Sequence, residues 1–433
     1  MALSDNNKKL WNKQLDGIKV VEPSLINTIN FDKILILVGR GYGNLIKKQL
    51  IEYGIEKGNI WFWWEYKAYI YKDTYKKICI QKNIYAKSVA IIMQEMEYSG
   101  APVVVINTIN ALKSIGYGVT LFTPKIDIEM VKELEKYDVT IIEMPALPVI
   151  NRTLLSFFKS YDCIIVNSFI MALSAVLLNK SMHVILWLHE DSTVYERFKL
   201  EYEIYEDKLK DIYIIAVSRN CAEKFRKFYP NIEVNAIMEY GLNDITVSNK
   251  KDNDNRGIKI AVVGKYCELK SQDTVLRAVR NLKENKDKIS IYLIGDISEN
   301  ERLELQHKYF DIKIIFTGIL NREEIYKLYN KIDIIICSSK RETMSLAITE
   351  GMMFGKVCIM TKTTGMSDYV INEENGFVYD YGNYAELSEL LNDIMNNKYN
   401  LESIKKQARQ TYEDNFTINK LAERLEKNII KQL

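Results

Sequence analysis

Short apolar runs alternate with amphipathic segments along most of the chain. The runs are four to seven residues long and bounded by polar residues, which is typical of buried parallel strands. In the first half they lie at 33–38, 59–64, 88–93, 116–122, 139–142, 162–166, 183–188 and 212–217, and in the second half at 258–263, 290–294, 312–316, 333–337, 356–360 and 376–379. Helical segments such as 384–395 separate them, so the pattern predicts an α/β fold with parallel sheets covered by helices.

A polar run at residues 248–257 indicates a linker between two such domains. We predict an N-terminal extension with a reduced Rossmann-like unit over 1–86 and a first α/β domain over 87–247. A second α/β domain follows over 257–415. The closing segment, 416–433, is expected to be a helix that packs back toward the first domain.

Composition narrows the function classes. The 433 residues are 47% hydrophobic and 27% charged, and 59 Lys and Arg against 57 Asp and Glu leave a net charge of +2. That balance argues against a general nucleic-acid binder. The six cysteines and three histidines show no metal-ligand spacing, so no metal is expected.

The N-terminus does not read as a signal peptide, and the most apolar region, 163–178, is shorter than the ~20 residues that span a bilayer. We therefore expect a cytoplasmic protein.

Two carboxylates follow the strand at 333–337. Glu342 lies in the turn after the strand, and Glu350 lies on the helix that begins near Ser345. A helix N-terminus attracts anions, so the backbone amides there could hold a diphosphate. The carboxylates would instead accept hydrogen bonds from sugar and ribose hydroxyls. This combination predicts a nucleotide-sugar site, with its turn and helix start at Thr343, Met344, Ser345 and Leu346.

The spacing of Glu342 and Glu350 resembles the donor-site motif of the retaining family 4 glycosyltransferases of bacterial group 1 type. The resemblance implies the GT-B architecture, in which two Rossmann-like domains face a cleft. It further implies that Glu342 orients the donor sugar and Glu350 binds the ribose.

A second match to the family follows the strand at 258–263. Gly264, Lys265 and Lys270 fall where the family has a glycine, an arginine and a lysine that hold the donor diphosphate. Lys265 departs from the usual arginine, which replaces a bidentate fork with a point charge. The resemblance makes Lys270 the residue that stabilises the leaving group.

Three further positions complete the site that the resemblance implies. His189, at a strand end, matches a histidine that such enzymes often hold near the donor sugar. Gly100 lies in the stretch that resembles the glycine-bearing first loop, where a backbone could approach a ligand. Gly318 sits at a strand end where the family places its nucleotide base. The catalytic set is therefore expected to be Glu342, His189 and Lys270.

The function that the resemblance implies is transfer of a sugar from a nucleoside diphosphate donor to an acceptor hydroxyl, in cell-surface glycan or glycoconjugate synthesis. The acceptor could be a glycan, a lipid-linked molecule or a protein. No cofactor or metal is expected, because lysines and amides take the role of a cation. Association with the inner face of a membrane and self-association through the N-terminal extension both remain open.

Other functions compete with this interpretation. A non-catalytic partner subunit that binds nucleotide sugars would keep the same fold. Two departures from the family pattern, Lys265 for the usual arginine and Thr364 for a usual glycine, favour it mildly. An oxidoreductase could use the glycine-rich stretch at 39–43, although Asn44 replaces the third glycine of a dinucleotide fingerprint. A nucleotide-sugar epimerase of the same architecture is a third alternative.

The N-terminal extension is too short for a complete mononucleotide-binding half. We predict a reduced Rossmann unit that binds no NAD and docks by its aromatic strand, 61–64, onto the transferase or a second copy. The Tyr- and Lys-rich stretch at 66–77 could be a membrane-surface or nucleic-acid patch. The prediction favours side chains that snorkel over an ordinary apolar surface.

Overall fold

The structure is a computed structural model that describes residues 2–38, 40–72, 74–96, 100–147, 155–201, 204, 206–245 and 257–432. Almost all of the predicted linker, 248–257, lies outside these residues. Gly39 and the loop residues Tyr98 and Ser99 lie outside them as well.

The N-terminal extension contains two small sheets in its described part. The first sheet joins β1 (Leu3–Ser4), β2 (Gln14–Leu15) and β3 (Ile18–Val21). The second sheet pairs β4 (Ile34–Ile36) in parallel with β5 (Ile60–Phe62), and the connecting helix is α1 (Arg40–Glu52). The chain continues directly into α2 (Trp63–Ile70). This is the predicted reduced βαβ unit.

Gly43 is where helix and strand approach most closely in this unit. The glycine-rich stretch is helical from Arg40 onward rather than a turn. A Cβ on Gly43 would lie 2.5 Å from Cε1 of Phe62, so this glycine allows α1 to rest on β5. The dinucleotide fingerprint has its third glycine at the position of Asn44, whereas the glycine that allows close helix packing in this structure is Gly43. The helix also begins earlier than predicted, at Arg40.

We expect Gly43→Val to destabilise the N-terminal unit by about 1–3 kcal/mol, because the added methyl groups overpack Phe62. Hydrogen exchange of the β4 and β5 amides in the full chain measures this directly. Gly58→Ala is the matched control, since a Cβ at Gly58 meets nothing within 4 Å. Unchanged protection in the Gly43 variant would contradict the packing argument.

The aromatic strand serves this unit's own interior. Phe62 and Trp64 are buried and stacked with ring centroids 4.4 Å apart. They pack in a small core of the unit, whose other buried members are Ile26, Ile36, Leu50, Ile55 and Ile60. The expected docking of the strand onto the transferase was therefore wrong for these two side chains.

The first large domain contains, among the described residues, an eight-stranded sheet ordered β13-β12-β11-β10-β7-β8-β9-β6. Its strands are β6 (Lys76–Cys79), β7 (Lys87–Met93), β8 (Tyr117–Thr123), β9 (Thr140–Glu143), β10 (Cys163–Asn167), β11 (Val184–Leu188), β12 (Tyr213–Ala216) and β13 (Ala236–Ile237). All neighbours are parallel except β6, which pairs antiparallel with β9. The covering helices are α3 (Gly100–Ser114), α4 (Ile128–Leu134), α5 (Ala172–Leu178), α6 (Ser192–Glu201), α7 (Glu206–Leu209) and α8 (Arg219–Arg226).

Two elements of this domain begin at residues other than those predicted. The edge strand β6 lies before residue 87, where the domain was expected to begin; its Lys-Lys-Ile-Cys sequence lacks the apolar run of a central strand. Gly100 is the first residue of α3 rather than part of a loop. Helix α1 of the N-terminal unit lies beside α6 of this domain.

The second large domain contains a six-stranded parallel sheet within the described residues, ordered β16-β15-β14-β17-β18-β19. The strands are β14 (Ile258–Val263), β15 (Ile289–Ile294), β16 (Lys313–Gly318), β17 (Ile334–Cys337), β18 (Val357–Thr361) and β19 (Phe377–Tyr379). The helices are α9 (Gln272–Arg280), α10 (Glu299–Lys308), α11 (Arg322–Tyr329), α12 (Leu346–Met353), α13 (Tyr384–Met395) and α14 (Leu401–Asn415). Strand order reverses between β14 and β17, and such a switch point is where open α/β sheets bind ligands.

The chain ends by returning to the first domain. Helix α15 (Ile418–Ile430) packs against α3. The crossing is tight at Gly241, where a Cβ would lie 2.5 Å from the carbonyl oxygen of Thr417. Glu239 is nearly buried there and pairs with Arg424 at 3.0 Å. Among the described residues, no helix has the length and hydropathy needed to cross a bilayer.

Candidate active site

Both basic and acidic candidates lie beside the switch point of the second sheet. Gly264, Lys265 and Lys270 follow β14, and Glu342 follows β17, its neighbour in the sheet. Parallel strands place their carboxyl ends at one edge, so the two segments meet there.

The turn that carries Glu342 is fixed by its backbone. Glu342 forms a bridge with Thr364, and the amide of Gly365 donates to the Glu342 carbonyl at 2.9 Å. A Cβ on Gly365 would overlap the carbonyl oxygen of Thr343, so only glycine fits this position. Ser345 then caps α12 by accepting a hydrogen bond from the Ile348 amide at 3.4 Å. The helix start therefore has one orientation.

Lys270 and Glu342 form an ion pair in this turn. Their side chains are 31% and 18% exposed, and the Ser339 hydroxyl donates to the same carboxylate at 3.3 Å. Burial by itself would lower the pKa of Lys270, but the Glu342 carboxylate outweighs it and leaves that pKa raised. A charged ammonium is therefore held at the edge of the cleft.

Two glycines let the loops after β14 and β15 cross. Gly264 and Gly295 have φ of +132° and +142°, and a Cβ on Gly295 would lie 2.5 Å from the Gly264 carbonyl oxygen. Lys265 extends from this crossing and pairs with Asp296 at 3.3 Å, with 72% of its side chain exposed. Each lysine is therefore paired with a carboxylate, but Lys265 lies at the solvent-exposed rim whereas Lys270 is largely enclosed.

The first domain reaches this site through His189 and Ser218. The Thr343 hydroxyl donates to the His189 carbonyl at 2.7 Å, and the Ser218 hydroxyl donates to the Thr343 carbonyl at 2.7 Å. Nearby, Arg341 lies 3.5 Å from the Asp191 carboxylate. The acidic turn is thus tied to the ends of β11 and β12 across the cleft.

The His189 imidazole is enclosed and neutral. Burial lowers its pKa to about 3, so it carries no charge at neutral pH. Its Nε2 has no hydrogen-bond partner among the residues that the structure describes. An enclosed nitrogen without a partner beside Thr343 is suited to a ligand hydroxyl.

The two glycine candidates differ in placement. Gly100, at the start of α3, would bring a Cβ 3.2 Å from Cδ1 of Leu346, so it borders the acidic turn from the first domain. Gly318 ends β16 with a φ of +70°, and its Cβ position is open to 4 Å. Gly100 therefore lies at the edge of the site, whereas Gly318 lies at the end of β16, near the start of α11.

Glu350 has two protein partners in the second domain. It is predicted to bind ribose hydroxyls, and in the structure its buried carboxylate forms an ion pair with Arg322 and accepts a hydrogen bond from the Tyr329 hydroxyl at 3.1 Å. Burial raises the pKa of Glu350, and the Arg322 guanidinium opposes that rise. Any ribose must therefore share this carboxylate with Arg322.

Arg322 and Tyr329 are the residues that sequence reasoning missed. Both lie on α11, where Arg322 is the first residue after the Asn321 cap. The guanidinium also lies 5.0 Å from the Tyr326 ring centroid and contacts its hydroxyl. The signal available was an arginine four residues beyond the end of β16, the edge strand that lies two strands from the switch point.

Among the described residues, no group of three or more His, Cys, Asp or Glu side chains could hold a metal ion.

Most of the chain matches models of known protein families. A model described as glycosyl transferases group 1 matches residues 244–411, and one described as glycosyl-transferase family 4 matches residues 85–244. The two models adjoin where the first domain gives way to the second. The chain belongs to the family 4, group 1 glycosyltransferases. Residues 1–61 match a separate model, C2185-like, N-terminal, so the extension of this family 4 member has relatives of its own.

Curated relatives of this family 4 member are distant. It is 23% identical over 150 residues to the uncharacterized glycosyltransferase YqgM of Bacillus subtilis, covering 34% of this chain and 42% of the relative. It is 24% identical over 180 residues to Spore coat protein SA of the same organism, covering 39% and 48%. The chain therefore spans less than half the length of these curated relatives.

Solved structures give the fold. Anabaena HepE in complex with UDP and glucose superposes with a TM-score of 0.66 at 15% identity, covering 80% of this chain and all of that one. This similarity, with the two sheets described above, makes the fold GT-B.

Proposed function

We propose that this chain transfers a sugar from a nucleoside diphosphate donor to an acceptor hydroxyl with retention of configuration. The observation that carries the proposal is the Lys270–Glu342 pair at the switch point, beneath the start of α12 and opposite His189. A cation, helix amides and a carboxylate in one cleft suit a diphosphate bonded to a sugar.

The proposed reaction breaks the bond between the anomeric carbon and the diphosphate oxygen. Lys270 and the α12 amides stabilise the negative charge that develops on the departing diphosphate. The acceptor oxygen attacks the anomeric carbon from the face that the diphosphate leaves, and its proton passes to a departing phosphate oxygen. When the Lys270 ammonium pairs with phosphate, the Glu342 carboxylate loses this partner and can accept hydrogen bonds from the donor sugar.

His189 is assigned to the donor sugar as a neutral hydrogen-bonding group. Burial lowers its pKa to about 3, so we assign it no role as a charged acid near neutral pH. Its unpartnered Nε2 supports contact with a sugar hydroxyl.

The nucleotide half of the donor is assigned to the α11 side of the cleft. Glu350 would accept from the ribose hydroxyls while Arg322 keeps the carboxylate ionised. Lys265 would approach the diphosphate from the rim after exchanging Asp296 for phosphate. The amides of 344–346 and the strand end at Gly318 complete the donor site.

The two glutamates should have separable effects. Glu350→Ala is expected to weaken nucleoside diphosphate binding by about 1.5–3 kcal/mol, because charge-assisted hydrogen bonds are lost. Glu342→Ala should act mainly on turnover, because its partner is the reacting sugar. Calorimetric titration and steady-state kinetics of both variants measure the difference. Wild-type nucleotide affinity in the Glu350 variant would contradict the ribose assignment.

The acceptor is proposed to be part of a cell-surface glycan or glycoconjugate, with the reaction on the cytoplasmic side and without metal or cofactor. The relative named for the spore coat supports a surface role. UDP-sugars are the first donors to test, because HepE was solved with UDP and glucose.

A thermal-unfolding screen of UDP-, GDP- and dTDP-sugars tests donor binding. A ligand at 100 times its Kd adds about 2.7 kcal/mol to the free energy of unfolding. We expect one base series to stabilise the chain, and NAD and NADP to leave it unchanged. Stabilisation by NAD alone would favour the oxidoreductase alternative instead.

A further inference from the structure

Exposed apolar side chains are concentrated in one part of the molecule. More than half of the large hydrophobic residues that lie exposed in the described chain fall within residues 33–87. They are Leu37, Val38, Tyr42, Leu45, Ile51, Trp63, Tyr66, Tyr69, Ile70, Tyr71, Tyr75, Ile80 and Ile84. The two transferase domains, which are far larger, share only a few scattered positions, which is normal for a soluble surface.

The same segment carries a separate positive charge. Residues 33–87 contain 11 Lys and Arg against four Asp and Glu, which gives +7. The whole chain carries +2, so the remainder is −5. The charge balance of the complete sequence conceals this asymmetry.

Helix α2 brings the two properties together. Trp63, Tyr66 and Ile70 follow at spacings of three and four residues, so they share one helical face, and each is at least 40% exposed. Trp64, one position on, points into the unit's core. The helix is therefore apolar on its outer face as well, which an ordinary surface helix is not.

Lysines border that face. Lys47 and Lys57 line an open depression shared with Trp61 and Tyr69, and the Lys72 ammonium lies 5.3 Å from the Tyr69 ring centroid. We call this region the basic-aromatic surface, made of Lys47, Lys57, Trp61, Trp63, Tyr66, Tyr69, Ile70 and Lys72.

We propose that the basic-aromatic surface binds the surface of an anionic lipid bilayer. Tryptophan and tyrosine partition into the headgroup region, and lysines are attracted to anionic lipids. A second copy of this chain would bring two units of +7 together and is disfavoured by repulsion. Nucleic acid would use the lysines and rings, but it gains nothing from an exposed aliphatic side chain such as Ile70.

Membrane binding here would also orient the transferase. Helix α1 lies beside α6, which begins three residues after His189 at the cleft. A bilayer held by the N-terminal unit would therefore lie beside the first domain, on the side of the cleft where α6 begins. This consequence rests on the proposed function, whereas lipid binding itself does not.

Vesicle co-sedimentation of the full chain tests the proposal. We expect the protein to pellet with phosphatidylcholine vesicles that contain phosphatidylglycerol and to stay in solution with phosphatidylcholine alone. Raising the salt to about 1 M, where the Debye length is about 3 Å, should release part of it. Replacing Trp63, Tyr66 and Ile70 together by Gln should lower partitioning about tenfold or more. Neutralising Lys57 and Lys72 should cost about fivefold for each lysine.

Matched variants distinguish binding by the basic-aromatic surface from nonspecific effects of exposed apolar residues and of charge elsewhere on the chain. Leu303, Phe310 and Tyr384 are comparably exposed in the second domain, and their replacement by Gln should leave pelleting unchanged. Lys283→Gln with Lys331→Gln is the charge control. Equal pelleting of the α2 variant and wild type would overturn the proposal. A dimer in light scattering that the triple Gln variant of α2 converts to a monomer would also overturn it. Binding to RNA without binding to lipid vesicles would overturn it as well. Failure of the transferase assay would leave these lipid results unaffected.

Discussion

Replacing Lys270 with methionine is expected to lower turnover about 30- to 1,000-fold, which corresponds to roughly 2–4 kcal/mol of transition-state stabilisation. Lys270 is the enclosed cation of the donor site, and its charge is maintained by Glu342 beside it. Methionine keeps most of the aliphatic length that packs over Gly264 but removes the ammonium. The loss should appear in kcat and kcat/KM together, because the charge it balances develops as the diphosphate departs.

Lys340→Met is the matched control for this variant. Lys340 lies two residues before Glu342 but is exposed and paired with Glu268 at 3.2 Å. Its replacement should leave turnover within about twofold, since exposed pairs contribute little. A Lys270→Met enzyme with wild-type turnover and an intact fold would make Lys270 a surface lysine without a catalytic role.

Arg322→Met is expected to reduce the free energy of unfolding by up to about 3–5 kcal/mol, because it leaves the Glu350 carboxylate buried without its cation. A quarter of the Arg322 side chain is exposed, so solvent should moderate the loss toward the lower value. Urea unfolding measures it. The double variant Arg322→Met with Glu350→Gln should recover most of the stability, because the second substitution removes the uncompensated charge.

The stability of the Arg322 variant should also depend more strongly on pH than that of the wild-type chain. Burial already raises the pKa of Glu350 against the pull of Arg322, and without the guanidinium the rise should grow. The folded state then binds the proton more tightly than the unfolded chain, so stability should fall as pH rises above about 4.3, the usual glutamate pKa. Stability that is independent of pH in Arg322→Met would contradict the account of this pair.

Much of the site could be predicted because it follows from strand order. Lys270 and Glu342 each lie a few residues beyond a buried apolar strand, and parallel strands bring such residues to one edge. The motif spacing therefore located both residues before their contact was known.

Other features depend on partners that are distant in sequence. Nothing near Glu350 indicates that Arg322, 28 positions earlier, will occupy its carboxylate; only the packing of α11 on α12 decides it. Gly43 is required by a contact with Phe62 in another element, and the start of α1 could not be located to one residue. The edge strand β6 was missed because edge strands carry charge and lack the buried pattern.

Retaining transfer can be tested by measuring nucleoside diphosphate release from the donor that binds and by observing with NMR the first sugar anomer formed. We expect the wild-type chain to release diphosphate and the first anomer to have the donor's configuration. Lys270→Met should lose this activity while Lys340→Met keeps it. Tight donor binding without diphosphate release under any acceptor would identify a non-catalytic binding subunit. A first-formed anomer of inverted configuration would contradict same-face transfer.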